Sequence, residues 1–257
     1  MITELASICC VDTVDCLRNL ESNLARSLPE CEPLPAREGR LAIVGSGPSV
    51  RDYLNELRSW PGEIWAINGA YNFLVSEGIV PHAMMACDPM AGLVEYVRNP
   101  QPQTTFLISG LCDPSVLDAL EGQNVRLWFI QQDNVTYPAG KWVVGGGTTA
   151  LTRSPFLARM LGWNDLTYYG ADSSFDVDGR YAYRDGTYGE DSRAPINWVR
   201  TSDGKGPFAT EQCLIKQVAQ FACIVPMFKG KIAFRCGGLL AAYLAAPTTD
   251  ESILETA

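Results

Sequence analysis

Two glycine-rich turns and a few polar residues at the ends of apolar runs are the places where this sequence could do chemistry. The first turn lies in "LAIVGSGPSV", residues 41–50, where Leu41–Val44 run into Gly45, Ser46, Gly47, Pro48 and Ser49. A strand that ends in such a loop brings backbone N–H groups close to a phosphate. Proline suits the first turn of a following helix, whose positive end favours an anion. The dinucleotide fingerprint G-x-G-x-x-G asks for a third glycine and, about 20 residues on, an acid for the ribose hydroxyls. Here Val50 takes the third position and the next strand ends in Asn68. The loop therefore reads as phosphate or nucleotide binding without the NAD-specific parts, with a plain tight turn as the alternative. The second turn is "VVGGGTTALTRSPFLARML". Gly145, Gly146 and Gly147 lead into Thr148 and Thr149 at a helix start, so two such turns in one sheet would hold a ligand from two sides. A threonine-capped turn is the alternative.

Asn68, Asp88 (in "ACDPM") and Asp172 (in "YGADSSF") each follow an apolar run, and all three are expected at one sheet edge. Either aspartate can accept from a sugar hydroxyl, position Mg²⁺ or act as a base, while Asp88 before Pro89 also reads as a helix cap. His82, the single histidine, begins a strand and belongs at the opposite edge in a structural role. "DVDG" at 176–179 lacks the glycine and glutamate that a calcium loop needs; Tyr181 and Thr187 stand there. Arg153, Arg159, Arg180, Arg184, Arg193 and Lys205 surround the second turn and the segment after Asp172. Some would neutralise a phosphate and most would be solvated. There is no P-loop motif, no G-x-S-x-G, and one histidine cannot serve a Ser/His/Asp arrangement.

These residues need a framework, and the spacing supplies one. Short apolar runs at 41–45, 63–68, 82–88, 104–110, 125–132, 166–172 and 231–238 alternate with helix-like segments. This pattern predicts an α/β domain, Rossmann-like and three-layered, with a mostly parallel sheet buried on both faces. Residues 1–37 form a helical arm and linker, with Val14, Leu17, Leu20, Leu24 and Leu28 on one face. Residues 38–245 form the nucleotide-binding domain and 246–257 a flexible tail. A polar insertion at 173–206, rich in Gly, Asp, Arg and Tyr, leaves the carboxyl edge, where open α/β sheets bind ligands.

The 257 residues carry a net charge of −9, which argues against duplex nucleic acid as partner. The nine cysteines contain no C-x-x-C pair and read as small core residues in a reducing compartment. No signal peptide is evident, and no stretch reaches the roughly 18 apolar residues of a membrane span. A cytoplasmic protein is expected.

The segments "LAIVGSGPSV", "IWAINGAYNFLVSEGIVPHAMMACDP" and "GGGTTALTRSPFLARMLGWNDLTYYGADSSF" together resemble the family of proteins similar to archaeal 6-hydroxymethylpterin pyrophosphokinase. That family includes the motility accessory factor glycosyltransferases. A more distant likeness is to bacterial sialyltransferases that use CMP-sialic acid. The likeness spans roughly residues 38–245. It implies that Gly45, Ser46, Gly47, Pro48 and Ser49 face a phosphate and that Asn68 contacts ribose or base. Gly146, Gly147 and Thr148 would form a second wall, with Asp172 closing the nucleotide site. Two departures stand out. Where pyrophosphokinases place an acid pair for Mg²⁺ and ATP, only Asp88 is present. Where the sialyltransferases place a histidine base, none occurs, leaving Asp176, Asp178, Asp185 or Tyr188. The expected function is a nucleotide-dependent transferase moving a sugar from a nucleotide-sugar, CMP-linked among the options, to a small-molecule or glycan acceptor, with Asp88, Asp172, Asp176 and Tyr188 as catalytic candidates. The alternatives are a Mg²⁺-dependent pyrophosphokinase on a pterin-like molecule, with Asp88 as metal ligand, and a non-catalytic nucleotide-binding or assembly protein.

Overall fold

A computed structural model describes residues 12–182 and 196–245. Each apolar run becomes a strand: β1 (Leu41–Val44), β2 (Glu63–Ile67), β3 (Ala83–Ala86), β4 (Thr105–Ser109), β5 (Val125–Ile130), β7 (Asp165–Tyr169) and β10 (Lys231–Arg235). A two-residue strand that the sequence did not reveal, β6 (Val143–Val144), completes an eight-stranded sheet in the order β10-β7-β1-β2-β3-β4-β5-β6. Its pairings are parallel throughout. Every residue of β1 and β3 is buried, as expected of strands covered on both faces.

The helices are α1 (Thr13–Leu24), α2 (Leu54–Arg58), α3 (Ala70–Ser76), α4 (Pro114–Ala119), α5 (Ala150–Met160), α6 (Gln212–Met227) and α7 (Gly238–Leu244). Two of the connecting segments, Pro48–Tyr53 and Ala91–Val97, are 3₁₀ helices. From β1 the chain steps outward to β6, returns through α5 to β7 on the far side of β1, and ends at β10. The order therefore reverses between β1 and β7, and the crevice outside their carboxyl ends is where such sheets take ligands. A separate hairpin, β8 (Asn197–Val199) with β9 (Phe208–Thr210), is antiparallel. It lies within or just beyond the segment expected as an insertion.

The N-terminal helix departs from its leucine periodicity. Leu20 is buried, but so are Cys16, Asn19 and Asn23, whereas Val14 is 69% and Leu17 39% exposed. The Asn19 amide donates to the carbonyls of Pro89 (3.3 Å) and Leu111 (3.2 Å), and that of Asn23 to Gly110 (3.1 Å) and Cys112 (2.7 Å). Four loop carbonyls that need donors thus take two polar residues beside the apolar stripe, of which Leu20, Leu24 and Leu28 still pack on the core. The helix is pinned across the carboxyl ends of β3 and β4.

Candidate active site

The loop after β1 interlocks with the turn after β7. Gly45 N–H donates to Tyr169 O and Gly47 N–H to Gly170 O, both at 2.8 Å. A Cβ on Gly45 would lie 2.7 Å from Gly170 O, and one on Gly47 would lie 2.6 Å from both Gly170 O and Asp172 Cγ. Gly170 itself sits at φ +59°, with Val50 Cβ 3.0 Å from where its own Cβ would be. These glycines let two backbones approach each other.

Asp172 closes the same knot. Its carboxylate accepts from Ser49 N–H (2.8 Å), Ser49 Oγ (2.5 Å) and Gly237 N–H (3.1 Å), and its carbonyl accepts from Leu240 N–H (3.0 Å). Only 3% of the residue is exposed. Burial lifts its pKa above the ordinary carboxylate value, opposed by the Ser49 and Gly237 donors and reinforced by the charge of Asp52. The donors of the first loop are therefore already taken: those of Gly45 and Gly47 by the Tyr169 and Gly170 carbonyls, and those of Ser49 by the Asp172 carboxyl. In the structure the N–H groups of Gly45, Gly47 and Ser49 point at the β7 turn and at Asp172. Ser46 and Pro48 remain half-buried on the outer side of the loop. There Ala182 N–H donates to Ser46 O at 2.9 Å, and the Arg51 guanidinium bonds the Ala182 carbonyl.

The second turn is also filled from within. Gln220 Oε1 accepts from Thr148 N–H (3.0 Å), Thr148 Oγ (3.2 Å) and Thr152 Oγ (3.3 Å). Thr149 and Thr152 form a capping box at the start of α5, which satisfies the orphan amides of a helix start. Gly146 sits at φ +128°, and a Cβ on Gly147 would come within 2.2 Å of Gln220 Oε1. Thr149 Oγ also donates to Gln217 Oε1 (2.7 Å), and the Gln217 amide donates to Ser173 Oγ (2.9 Å). A chain of bonds thus runs Ser49–Asp172, then from the adjoining Ser173 through Gln217 to Thr149, and it brings both turns to one edge of the sheet. Gln217 and Gln220 were not foreseen. Their only trace in the sequence is a pair of glutamines three residues apart on an apolar helix. Arg153, one of the cations around the second turn, is 2% exposed and donates to Gln131 O at 3.2 Å.

Asn68 is different. It ends β2 at φ +49°, a left-handed conformation that costs a non-glycine residue energy and is enriched at functional positions. Its Oδ1 is buried and, among the described residues, has no hydrogen-bond partner. Asp88 lies half-buried just beyond β3 on the adjacent strand, and Met90 N–H donates to its Oδ1 at 3.0 Å. Asp176 accepts from Asp178 N–H (3.0 Å) and Arg180 N–H (2.9 Å), closing its own turn. Tyr188, Asp185, Arg184 and Arg193 lie outside the described residues. His82 accepts from Ile64 N–H through Nδ1 at 3.1 Å, at the amino end of β3. Among the described residues no three His, Cys, Asp or Glu side chains gather as a metal site. Asp88, with one oxygen already used, does not by itself fit the Mg²⁺ site of a pyrophosphokinase.

A family model described as 6-hydroxymethylpterin diphosphokinase MptE-like matches residues 15–178. The MAf glycosyltransferase from Magnetospirillum magneticum AMB-1 superposes with a TM-score of 0.60 over 88% of this chain, at 16% identity. This chain spans 37% of that one's length, and at such identity the likeness speaks for the fold. No curated protein sequence matches the chain. The match of the family model over well more than half of the sequence, on the α/β fold just described, places the chain in the 6-hydroxymethylpterin diphosphokinase MptE-like family.

Proposed function

We propose that this chain is a nucleotide-dependent transferase that moves a sugar from a nucleotide-sugar to an acceptor, with its ligand held at the carboxyl ends of β1, β2 and β3. Membership of a family described by a group-transferring enzyme supports the reaction class. The fold shared with a protein described as a glycosyltransferase supports the finer reading. The observation that carries the site is Asn68, a strained residue with an orphaned buried oxygen beside the point where the strand order reverses. A ligand that donates to Asn68 Oδ1 would repay both the strain and the lost hydrogen bond. Ser46 is a half-buried hydroxyl residue of the first loop, and Asp88, half-buried just beyond β3, is a candidate base.

Thermal-shift measurements with CMP, CDP and UDP in EDTA, and with ATP plus Mg²⁺, test this. Stabilisation by a pyrimidine nucleotide without metal is expected. Asn68→Gly should fold at least as well, because glycine accepts the left-handed backbone, yet lose the nucleotide response. An unchanged response in that variant overturns the site, and no response of the wild type to any nucleotide overturns the enzyme reading. The family description favours a second reading, a Mg²⁺-dependent diphosphokinase, which a shift with ATP only in the presence of Mg²⁺ would select.

A further inference from the structure

The inner side of the first loop is bonded to the β7 turn and Asp172. On its outer side one residue takes two further groups. Ala182 N–H donates to Ser46 O at 2.9 Å, and the Ala182 carbonyl accepts from the Arg51 guanidinium. Ala182 is 3% exposed, whereas Arg51 is an exposed residue.

Ala182 ends a strap that begins at the Asp172 knot, and the root of the strap is fixed. Thr210 Oγ donates to Ser173 O (2.9 Å), Leu239 N–H to Ser174 Oγ (3.2 Å) and Phe175 N–H to Ala209 O (2.8 Å). Beyond the root the chain closes on itself. Asp176 N–H donates to Arg180 O (2.9 Å), and Asp176 Oδ1 accepts from the N–H groups of Asp178 and Arg180. The Phe175 and Tyr181 rings meet edge to face at 4.8 Å, and Tyr181 OH donates to Glu211 Oε1 at 3.4 Å. Val177, at the tip, is 88% exposed. The strap is thus a preformed turn on a fixed root, latched at its far end to the first loop.

We propose that this latch is a phosphate-operated switch. Arg51 is the phosphate-binding cation of the first loop, Ala182 competes with phosphate for it, and a phosphate-bearing ligand displaces the Ala182 carbonyl and frees the strap. The inference rests on the site proposed at the carboxyl ends of β1 and β2, to which it adds a cation and a ligand-driven movement. A carbonyl offers a guanidinium one neutral acceptor, while a phosphate offers two parallel charged ones. Arg51 can exchange one for the other because it is exposed, unlike Arg153, which is 2% exposed and also bonds a carbonyl. Once Arg51 turns away, the carbonyl of a buried residue has lost its partner. That penalty favours release of Ala182 as a whole and uncovers Ser46.

Hydrogen exchange read by mass spectrometry from overlapping peptides across residues 175–182 tests the switch, with inorganic phosphate or CMP added at constant ionic strength. Phosphate should speed exchange of the Ala182 amide by about tenfold. Arg51→Gln should show the fast exchange from the start and no further response to phosphate. Ala182→Pro, which has no N–H for Ser46, should bind phosphate about fivefold more tightly by calorimetry, because the ligand no longer has to open the latch. An Ala182 amide that phosphate and CMP leave unchanged or slow overturns the switch, and so does an equal acceleration in Arg51→Gln. The switch and the nucleotide site fail separately. An Asn68-dependent shift with CMP and no change at Ala182 overturns the switch alone. Phosphate-driven release without a response to any nucleotide supports the switch and overturns the nucleotide as ligand.

Discussion

Asp172 bonds to two chain segments distant in sequence, and its role is only half visible in the sequence. A glycine, one residue and an acid at the end of an apolar run mark a group at the ligand edge. That its partners are Ser49 and Gly237, 123 positions upstream and 65 downstream, depends on β7 returning beside β1 and β10 beside β7, which no local pattern states. Asn68 was legible as the polar end of a strand, but its left-handed backbone and orphaned oxygen were not. A consequence can be read in the pH dependence of stability. The unfolded carboxyl titrates near 3.8, and burial raises the native value above it. Between those two values the native state holds the extra proton, so the contribution of Asp172 is fully present below the unfolded pKa and is lost as pH rises through the native one. Asp172→Asn cannot titrate and offers one acceptor oxygen to three donors. Urea midpoints from about pH 3 to about pH 7 should show the wild type ahead by about 1–3 kcal/mol at the acid end, with the lead shrinking as pH rises. A lead independent of pH would show that the carboxyl does not titrate as a buried group.

Among the elements, α1 shows where periodicity misleads. Leucine spacing identified a helix, yet two asparagines one turn apart set its rotation, because the loop carbonyls after β3 and β4 need donors more than Val14 and Leu17 need burial. Apolar patterns report which residues prefer to leave water; they carry no information about which backbone groups elsewhere lack partners. Asn23→Ala should therefore cost about 1–3 kcal/mol by stranding the Gly110 and Cys112 carbonyls. Leu17→Ala, at an exposed position, should stay within about 0.5 kcal/mol. Chemical denaturation of the two variants checks the ranking, and a larger loss at Leu17 would return the helix to its leucine face. The same limit explains β6. Two residues are too few to carry a pattern, and the three glycines after them have no strand propensity.

For the molecule as a whole, the long apolar runs made the parallel sheet legible, while its order was not, and the order decides what the glycine loop does. Placing β7 next to β1 sets Gly170 and Asp172 against Gly45 and Gly47, and placing β10 next to β7 brings Gly237 and α7 onto the same carboxylate. The GSGPS loop thus joins three chain segments distant in sequence before it can serve any ligand. Amides bonded across this junction, those of Gly45, Gly47, Ser49, Gly237 and Leu240, should exchange with solvent together, at the rate of global unfolding. The amides of the β8–β9 hairpin belong to a sheet of two short strands and should open first. Gly47→Ala forces a Cβ to within 2.6 Å of a carbonyl and a buried carboxyl carbon, neither of which can yield without moving β7. It should lower global stability by about 1–3 kcal/mol and speed all five junction amides by a common factor, leaving the hairpin amides as they were. If only Gly47 and Ser49 were affected, the loop would be a local turn, and the β1, β7 and β10 ends would not form one cooperative unit.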